Sequence, residues 1–116
     1  MDTKYIKYNE IVCALMEDIT EMTRKGEKEY IDTQLIIDKE KGHYLIYSIG
    51  WEKTKRSYGC FLHIEVKKNA KIFLHHNGTN LEIVDELMEN GVEKMDIALA
   101  FQPYSVREIS GFYVGQ

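Results

Sequence analysis

Apolar side chains in the first 26 residues recur at alternating intervals of three and four. They are Tyr5, Tyr8, Val12, Leu15, Ile19 and Met22. This spacing places them on one stripe of an α-helix, and the acidic side chains between them fall on the solvent-facing side. Gly26 and the charged run RKGEKE predict the end of the helix. Because the stripe is shorter than three heptads, the pattern favours a helix packed on a sheet over a coiled coil.

The next four apolar segments have the composition of β-strands, since they are rich in isoleucine, valine, tyrosine and phenylalanine. In chain order they read YIDTQLIID, HYLIYSIGW, SYGCFLHIEV and KIFLHH. Only the short links KEKG, EKTKR and KKNA separate them. Short links join antiparallel neighbours, so the four segments predict a four-stranded antiparallel meander.

Side-chain alternation predicts the register of the third and fourth strands. The register that matches apolar to apolar positions pairs Val66 with Ile72 and Ile64 with Leu74. A slip of one residue would bury a polar side chain, so this register is favoured. It requires a three-residue loop at 68–70.

The same register places His63 directly opposite His75, with Glu65 diagonal to both, on the face turned away from the core. Two imidazoles and a carboxylate form a ligand set that zinc accepts. Cross-strand polar pairs on the outer face of a sheet are routine, however, so we expect a surface or interface pair without metal or cofactor. No phosphate-binding glycine loop and no Ser/His/Asp constellation is readable, and we expect no catalytic residue.

The segment GTNLEIVDELMENG predicts a second helix. Thr79 and Glu82 have the spacing of a capping box, and Gly91 stands where the helix would end. A short apolar run, DIALAF, predicts a strand before Pro103, and GFYVGQ predicts a short extended end. The complete pattern predicts an α+β fold in a single domain of residues 1–116. It comprises an N-terminal helix, a four-stranded antiparallel meander, a second helix and short C-terminal strand segments.

Composition narrows the class of protein further. The net charge of −4 argues against a free-standing nucleic-acid binder. No apolar run approaches the ~20 residues of a membrane helix, and the N-terminus lacks the apolar block of a signal peptide. We therefore expect a cytoplasmic protein with no membrane contact. Cys13 and Cys60 lie far apart in sequence, outside any CxxC pair, so free thiols are expected.

Basic residues are concentrated in the middle of the chain. Residues 39–71 hold eight basic and three acidic side chains, whereas the segments before and after carry net charges of −4 and −5. Because the turns of a meander alternate between the two ends of the sheet, the basic side chains form two spots. One spot comprises Lys39, Lys41, Lys67, Lys68 and Lys71, and the other comprises Lys53, Lys55 and Arg56. Such small spots predict weak, salt-sensitive or indirect DNA contact.

The central hairpin contains residues that predict a structural unit around Trp51. Gly59 is expected opposite Trp51 or its neighbour, where it leaves room for the ring. Arg56 either lies over the indole as a cation–π contact or solvates the turn. Trp51 and Tyr47 lie on a face that the fold covers incompletely. Exposed aromatic side chains and sheet edges are usually buried by a partner, so we expect a homodimer or an obligate heteromer.

Taken in order, these motifs resemble the XisI family, whose members are small cyanobacterial proteins named as fdxN element excision controlling factors. The matching segments, from about Tyr30 onward, are YLIYSIGW, R-x-x-G-C-x-x-H-I-E-V, KIFLHHNGT, IVDEL and DIALAF. The residues that match family motifs or that we select as candidate interaction sites are Trp51, Arg56, Gly59, His63, Glu65, His75, Gly78, Thr79, Pro103 and Arg107. The chain departs from the family at Tyr58, where histidine is usual, and at 77–80, where NGTN replaces DGTE.

The resemblance implies a non-enzymatic accessory role in programmed DNA excision, alongside a site-specific recombinase and the partner protein XisH. It implies no catalytic residue. Two other hypotheses stay open. One is a directionality factor that binds DNA directly through the basic segment 39–71. The other is a small metal-dependent enzyme centred on His63 and His75.

Overall fold

The computed structural model describes residues 3–26 and 30–115. The chain begins with helix α1 (Thr3–Gly26) and continues through strands β1 (Ile31–Asp38), β2 (His43–Glu52), β3 (Lys55–Val66) and β4 (Ile72–Asn77). Helix α2 (Ile83–Glu89), a 3₁₀ turn (Lys94–Asp96), strand β5 (Ile97–Ala98) and helix α3 (Tyr104–Arg107) follow. Residues 27–29 of the charged run that was predicted to end α1, and Gln116 of the predicted extended end, lie outside the described residues.

The sheet has five strands in the order β1-β2-β3-β4-β5. The first four pair antiparallel with their chain neighbours, which confirms the predicted meander. Strand β5 adds a short parallel pair to β4, through Ile72–Ile97 and Phe73–Ala98. Parallel neighbours need a crossover connection, and the segment that contains α2 supplies it. The α+β class predicted from the sequence is therefore confirmed, with a mixed sheet.

The β3–β4 hairpin has the register that the apolar pattern predicted at its closed end. Val66 pairs with Ile72, and Ile64 pairs with Leu74. The three-residue loop is also confirmed, since the backbone N–H of Lys67 donates to the carbonyl of Lys71 at 2.8 Å.

Helix α1 buries most of the predicted stripe, including Tyr8, Val12 and Ile19. Met22 is an exception, because 56 % of it is exposed, and its prediction as a core residue was wrong. An ideal helix has 3.6 residues per turn, so a pattern with a strict 3.5-residue period drifts around the helix. Met16, which lay off the predicted stripe, is consequently buried. Among the described segments, no helix is long and apolar enough to cross a membrane.

Helix α2 begins later than the capping box predicted. Glu82 is the N-cap residue, and its side chain makes no capping hydrogen bond. Thr79 instead belongs to a compact turn: its N–H donates to Asn77 Oδ1 at 2.9 Å, and its hydroxyl accepts from the N–H of Leu81 at 3.1 Å. Asn and Thr side chains compete for backbone groups in this way, which delays the helix.

Both long helices contribute to a core on one face of the sheet. The core includes Val12 and Met16 of α1, Leu87 of α2, and Ile46 and Leu62 of the sheet. Tyr44 joins the two layers at the rim, where its hydroxyl donates to Asn9 Oδ1 at 2.7 Å. Alternation along the strands places the remaining side chains on the opposite face of the sheet.

Candidate functional site

The face of the sheet that points away from α1 and α2 is hereafter called the open face. Alternation along β2 directs Tyr44 and Ile46 into the core and their neighbours to the other side. Strand pairing then assigns the rest, because directly paired residues share a face. The paired residues of the open face are Asp32, Gln34, Ile36, Asp38, His43, Leu45, Tyr47, Ile49, Trp51, Arg56, Tyr58, Cys60, His63, Glu65 and Phe73. His75 joins them, because its ring centroid lies 4.8 Å from that of His63.

One edge of the open face is covered by the C-terminal segment. The ring of Tyr113 makes an edge contact with Phe73 at a centroid distance of 6.2 Å, and Phe73 is buried. Arg107 holds this segment, because its guanidinium donates to the carbonyl of Val114 at 3.0 Å. The carbonyl of Pro103 accepts from the N–H of Arg107 at 3.0 Å. The structure therefore places Pro103 and Arg107 in a supporting unit for the tail.

A polar group occupies the open face beside the covered edge, and we call it the histidine cluster. It consists of His43 from β2, His63 and Glu65 from β3, and His75 from β4. Nδ1 of His43 lies 2.9 Å from Nε2 of His63, so one ring nitrogen donates and the other accepts. Nε2 of His75 lies 2.7 Å from Glu65 Oε1. The prediction that His63, His75 and Glu65 meet across strands is confirmed.

The exact pairing of His63 differs from the prediction. His63 pairs with His76, and the register shifts between His63 and Ile64, so His75 is the additional residue of a β-bulge. A bulge re-aims a side chain and raises the local twist. The His63 and His75 rings still come together, with centroids 4.8 Å apart, although the two residues are not directly opposite.

His43 is a member of the cluster that sequence reasoning missed. It pairs directly with Glu65 in the β2–β3 ladder, and its Nε2 lies 3.8 Å from Glu65 Oε2. A regular register, extended from the two-residue turn at 53–54 along both strands, does not predict this pairing. The reason is a second bulge, in which Phe61 is the additional residue. The simple register would therefore place His43 one position away from Glu65.

Electrostatics set the protonation of the cluster. Burial lowers the pKa of His63, and the neighbouring His75 and His43 lower it further. For Glu65, burial is the largest influence and raises the pKa, but it is outweighed by the hydrogen bond from His75 and the charge of Lys67, so the pKa is lowered. Glu65 thus stays ionised while His63 favours its neutral form.

The donor atoms of the cluster are directed at one another. Within residues 3–26 and 30–115, no group of three or more His, Cys, Asp or Glu side chains has an arrangement that could hold a metal ion. Both cysteines are free thiols. As it stands, the cluster is a hydrogen-bonded network.

The other end of the open face is the tip of the β2–β3 hairpin. We define the hairpin tip as Trp51, Lys53, Lys55, Arg56 and Tyr58. The guanidinium carbon of Arg56 lies 5.3 Å from the centre of the Trp51 ring and 5.6 Å from that of Tyr58. The cation–π alternative for Arg56 is therefore confirmed. Trp51 is half exposed, so the structural unit predicted around it is not built on a buried ring.

The glycines of this hairpin have a different role from the one predicted. Gly59 pairs with Ser48, and no atom lies within 4 Å of the position where its Cβ would be. The Trp51 ring therefore does not fill the room left by the missing side chain. Its φ of +146° is the feature that favours glycine. Gly50 is the close-contact position, because a Cβ there would lie 2.0 Å from the carbonyl oxygen of Tyr30.

The two basic spots are not equivalent. At the end near the β3–β4 turn, Lys67 lies 3.6 Å from Glu65, and Lys71 donates to Asp96 at 2.7 Å. Lys53, Lys55 and Arg56 form no ion pair with any residue that the structure describes. Within this part of the chain all three cations of the hairpin tip are therefore unpaired, whereas two of the five lysines at the other end are engaged with carboxylates.

The remaining motif residues, Gly78 and Thr79, lie in the loop after β4. The N–H of Gly78 donates to the carbonyl of Phe61 at 2.6 Å. This bond ties the loop to the bulge of β3, while Thr79 supports the turn described above. Both residues act on backbone geometry, and neither joins the histidine cluster or the hairpin tip.

The fold is that of an α+β protein, in which helices cover one face of a mostly antiparallel sheet and leave the other face open. The family model described as XisI protein matches residues 1–114. The chain belongs to the XisI family, and the match extends the resemblance of the later motifs through α1.

Two solved structures from Anabaena variabilis are similar to the chain. A XisI-like protein is 31 % identical with a TM-score of 0.89, over 96 % of this chain and 99 % of its own. The fdxN element excision controlling factor XisI is 28 % identical with a TM-score of 0.82, over 97 % of this chain and 99 % of its own. No curated protein matches the chain.

Proposed function

We propose that this protein is a non-catalytic controlling factor of DNA element excision and acts by binding protein partners through the open face. Family membership supports the role in excision control, together with the similarity to an fdxN element excision controlling factor. The partners proposed from the family resemblance are a XisH-like protein and a site-specific recombinase.

The central part of the open face is the observation that carries this proposal. Leu45, Tyr47 and Ile49 form an apolar row along β2, between the histidine cluster and the hairpin tip. Ile49 is 37 % exposed, and Ile36 on the neighbouring strand is 49 % exposed. A contiguous apolar surface with polar groups at both ends is typical of a protein interface.

Binding to a XisH-like protein tests the proposal. The double variant Tyr47→Asp and Ile49→Asp should abolish co-purification, because it places two charges in the apolar row. Met22→Asp is the matched control, since Met22 is also exposed but lies on α1, away from the open face. The control should bind like the unchanged protein.

Several outcomes would contradict the proposal. Binding that survives in the double variant would exclude the open face as the contact surface. A protein that remains a monomer on dilution and shows no affinity for a XisH-like partner would contradict the partner-dependent function. Self-association that only the double variant abolishes would replace the proposed partner with a second copy of the chain.

A further inference from the structure

The hairpin tip combines available positive charge with exposed aromatic rings. Its three cations have no carboxylate partner in the part of the chain that the structure describes. At the other end, Lys67 and Lys71 are engaged with Glu65 and Asp96. Two of the five lysines at that end are thus engaged, whereas all three cations of the hairpin tip are available to an external anion.

The aromatic rings of the tip are largely exposed to solvent, so they contribute little to the packing of the core. Trp51 is 50 % exposed and Tyr58 is 72 % exposed. Tyr30, also 72 % exposed, is adjacent, since its carbonyl accepts from the N–H of Trp51 at 3.0 Å. Three large rings therefore meet solvent around one short turn.

Arg56 is also fixed by contacts within the tip. Arg56 is held between Trp51 and Tyr58, and its guanidinium donates to the carbonyl of Gly50 at 3.4 Å. At the turn itself, Lys53 has a φ of +57°. Glycine adopts this conformation at lower cost. The turn therefore carries a charged lysine at a position where glycine would cause less backbone strain.

We propose that the hairpin tip binds single-stranded nucleic acid, with bases stacked on Trp51 and Tyr58 and phosphates paired with the three cations. Aromatic platforms beside a cationic groove are the chemistry that binds single strands without sequence preference. An acidic peptide would pair with the cations but would leave the rings uncovered. A duplex hides the faces of its bases, so it would use only the charge. This binding goes beyond the protein partner proposed above and does not depend on it.

The single tryptophan of the chain provides a direct readout, because Trp51 is the only source of indole fluorescence. A thymidylate oligonucleotide of about ten nucleotides should quench this fluorescence as a base stacks on the ring. Because three cations contact phosphates, the logarithm of the binding constant should fall with the logarithm of salt concentration with a slope of about −2. Uridylate of the same length distinguishes RNA from DNA as the source of the single strand.

Two sets of substitutions, each removing three charges, test the location. Lys53→Ala, Lys55→Ala and Arg56→Ala together should abolish the quenching. Lys39→Ala, Lys41→Ala and Lys68→Ala remove the same charge from the other end of the sheet and should preserve it. Tyr58→Ser keeps every cation and the fluorophore, and it should weaken binding about tenfold through lost stacking.

Three results would overturn the inference. The first is no quenching by either oligonucleotide at low salt. The second is an equal loss in both triple variants, which would indicate a general charge effect. The third is equal quenching by polyglutamate or by a duplex, which would assign the tip to an acidic protein surface or to duplex DNA. Circular dichroism melting of each variant verifies that the fold persists, and Tyr58→Ser remains informative if a triple variant unfolds.

Discussion

Two polar clusters join elements of this protein, and they differ in burial. The first lies between α1 and the starts of β4 and β5, where Asp96 is 4 % exposed. It accepts hydrogen bonds from Tyr8 at 2.6 Å and from Lys71 at 2.7 Å, and Lys4 lies 2.9 Å away. The second is the histidine cluster, whose His43 and His75 side chains are about one-third exposed, at 31 % and 32 %.

This difference indicates what each cluster does. Around Asp96 the ionised carboxylate is surrounded by donors, which lower its pKa to about 2 although burial alone would raise it. Its charge state is therefore constant at any physiological pH, and the cluster is structural. The histidine cluster contains three imidazoles, the type of side chain that most often acts as a pH switch, on a face with room for a partner. The charge of this cluster is therefore suited to change with pH or with the binding of a partner.

The largest expected effect comes from Asp96→Ala. Removal of a buried carboxylate leaves Lys71 without its counter-charge and Tyr8 without its acceptor, and it should lower the free energy of unfolding by about 3–5 kcal/mol. Glu93→Ala is the matched control, because Glu93 pairs with Lys4 on the surface and should cost less than about 1 kcal/mol. Urea denaturation of both variants checks the difference, and equal losses would contradict a structural role for the buried cluster.

Acid should reveal the same cluster in the unchanged protein. The pKa of Asp96 is about 2 in the folded state and 3.8 in the reference state, so its stabilising contribution is complete above pH 3.8. The contribution decreases as the pH falls toward 2, because the unfolded chain then binds a proton that the folded chain does not. The shift corresponds to roughly 2–3 kcal/mol. Denaturation midpoints from pH 5 to pH 2 should show this loss, and Asp96→Ala should remove most of it.

A smaller effect is expected at the hairpin tip. Trp51→Ala would cost about 3–5 kcal/mol for a buried ring. Since Trp51 is half exposed, the variant should lose only about 1 kcal/mol, including its contact with Arg56. Thermal melting measures the cost. A loss comparable with that of Asp96→Ala would show that the ring is part of the core and would weaken the case for a binding surface.

The fold was predictable where local pattern determines it. Strand-like composition and short links were sufficient for the meander, and strand alternation was sufficient for the pairs Ile64–Leu74 and Val66–Ile72. The Asp96 cluster was not predictable, because it joins Tyr8 to a residue 88 positions away and no local pattern encodes that contact. Parallel pairing of β5 likewise depends on the crossover through α2.

The histidine cluster was predictable only in part. Alternation and the apolar register placed His63, Glu65 and His75 together, but the pairing of His43 with Glu65 depends on the bulge at Phe61, which no local pattern encodes. In the same way, composition identified both basic spots, whereas their different engagement with carboxylates required the contacts of individual lysines.

The smallest expected effect concerns the pH dependence of the histidine cluster. The pKa of His63 is lowered in the folded protein by burial and by the adjacent imidazoles. Below the reference value of 6.5, the unfolded chain therefore takes up a proton before the folded chain does, and stability declines as the pH falls from that value.

His63→Gln should flatten the dependence of the melting temperature between pH 7 and pH 5 while preserving the fold. His76→Gln should change the dependence less, because the charge of His76 is the smallest influence on the pKa of His63. If the open face binds a partner, the same acidification should weaken that complex in the unchanged protein more than in His63→Gln. An identical pH profile for all three proteins would show that protonation of the cluster is not linked to folding or assembly.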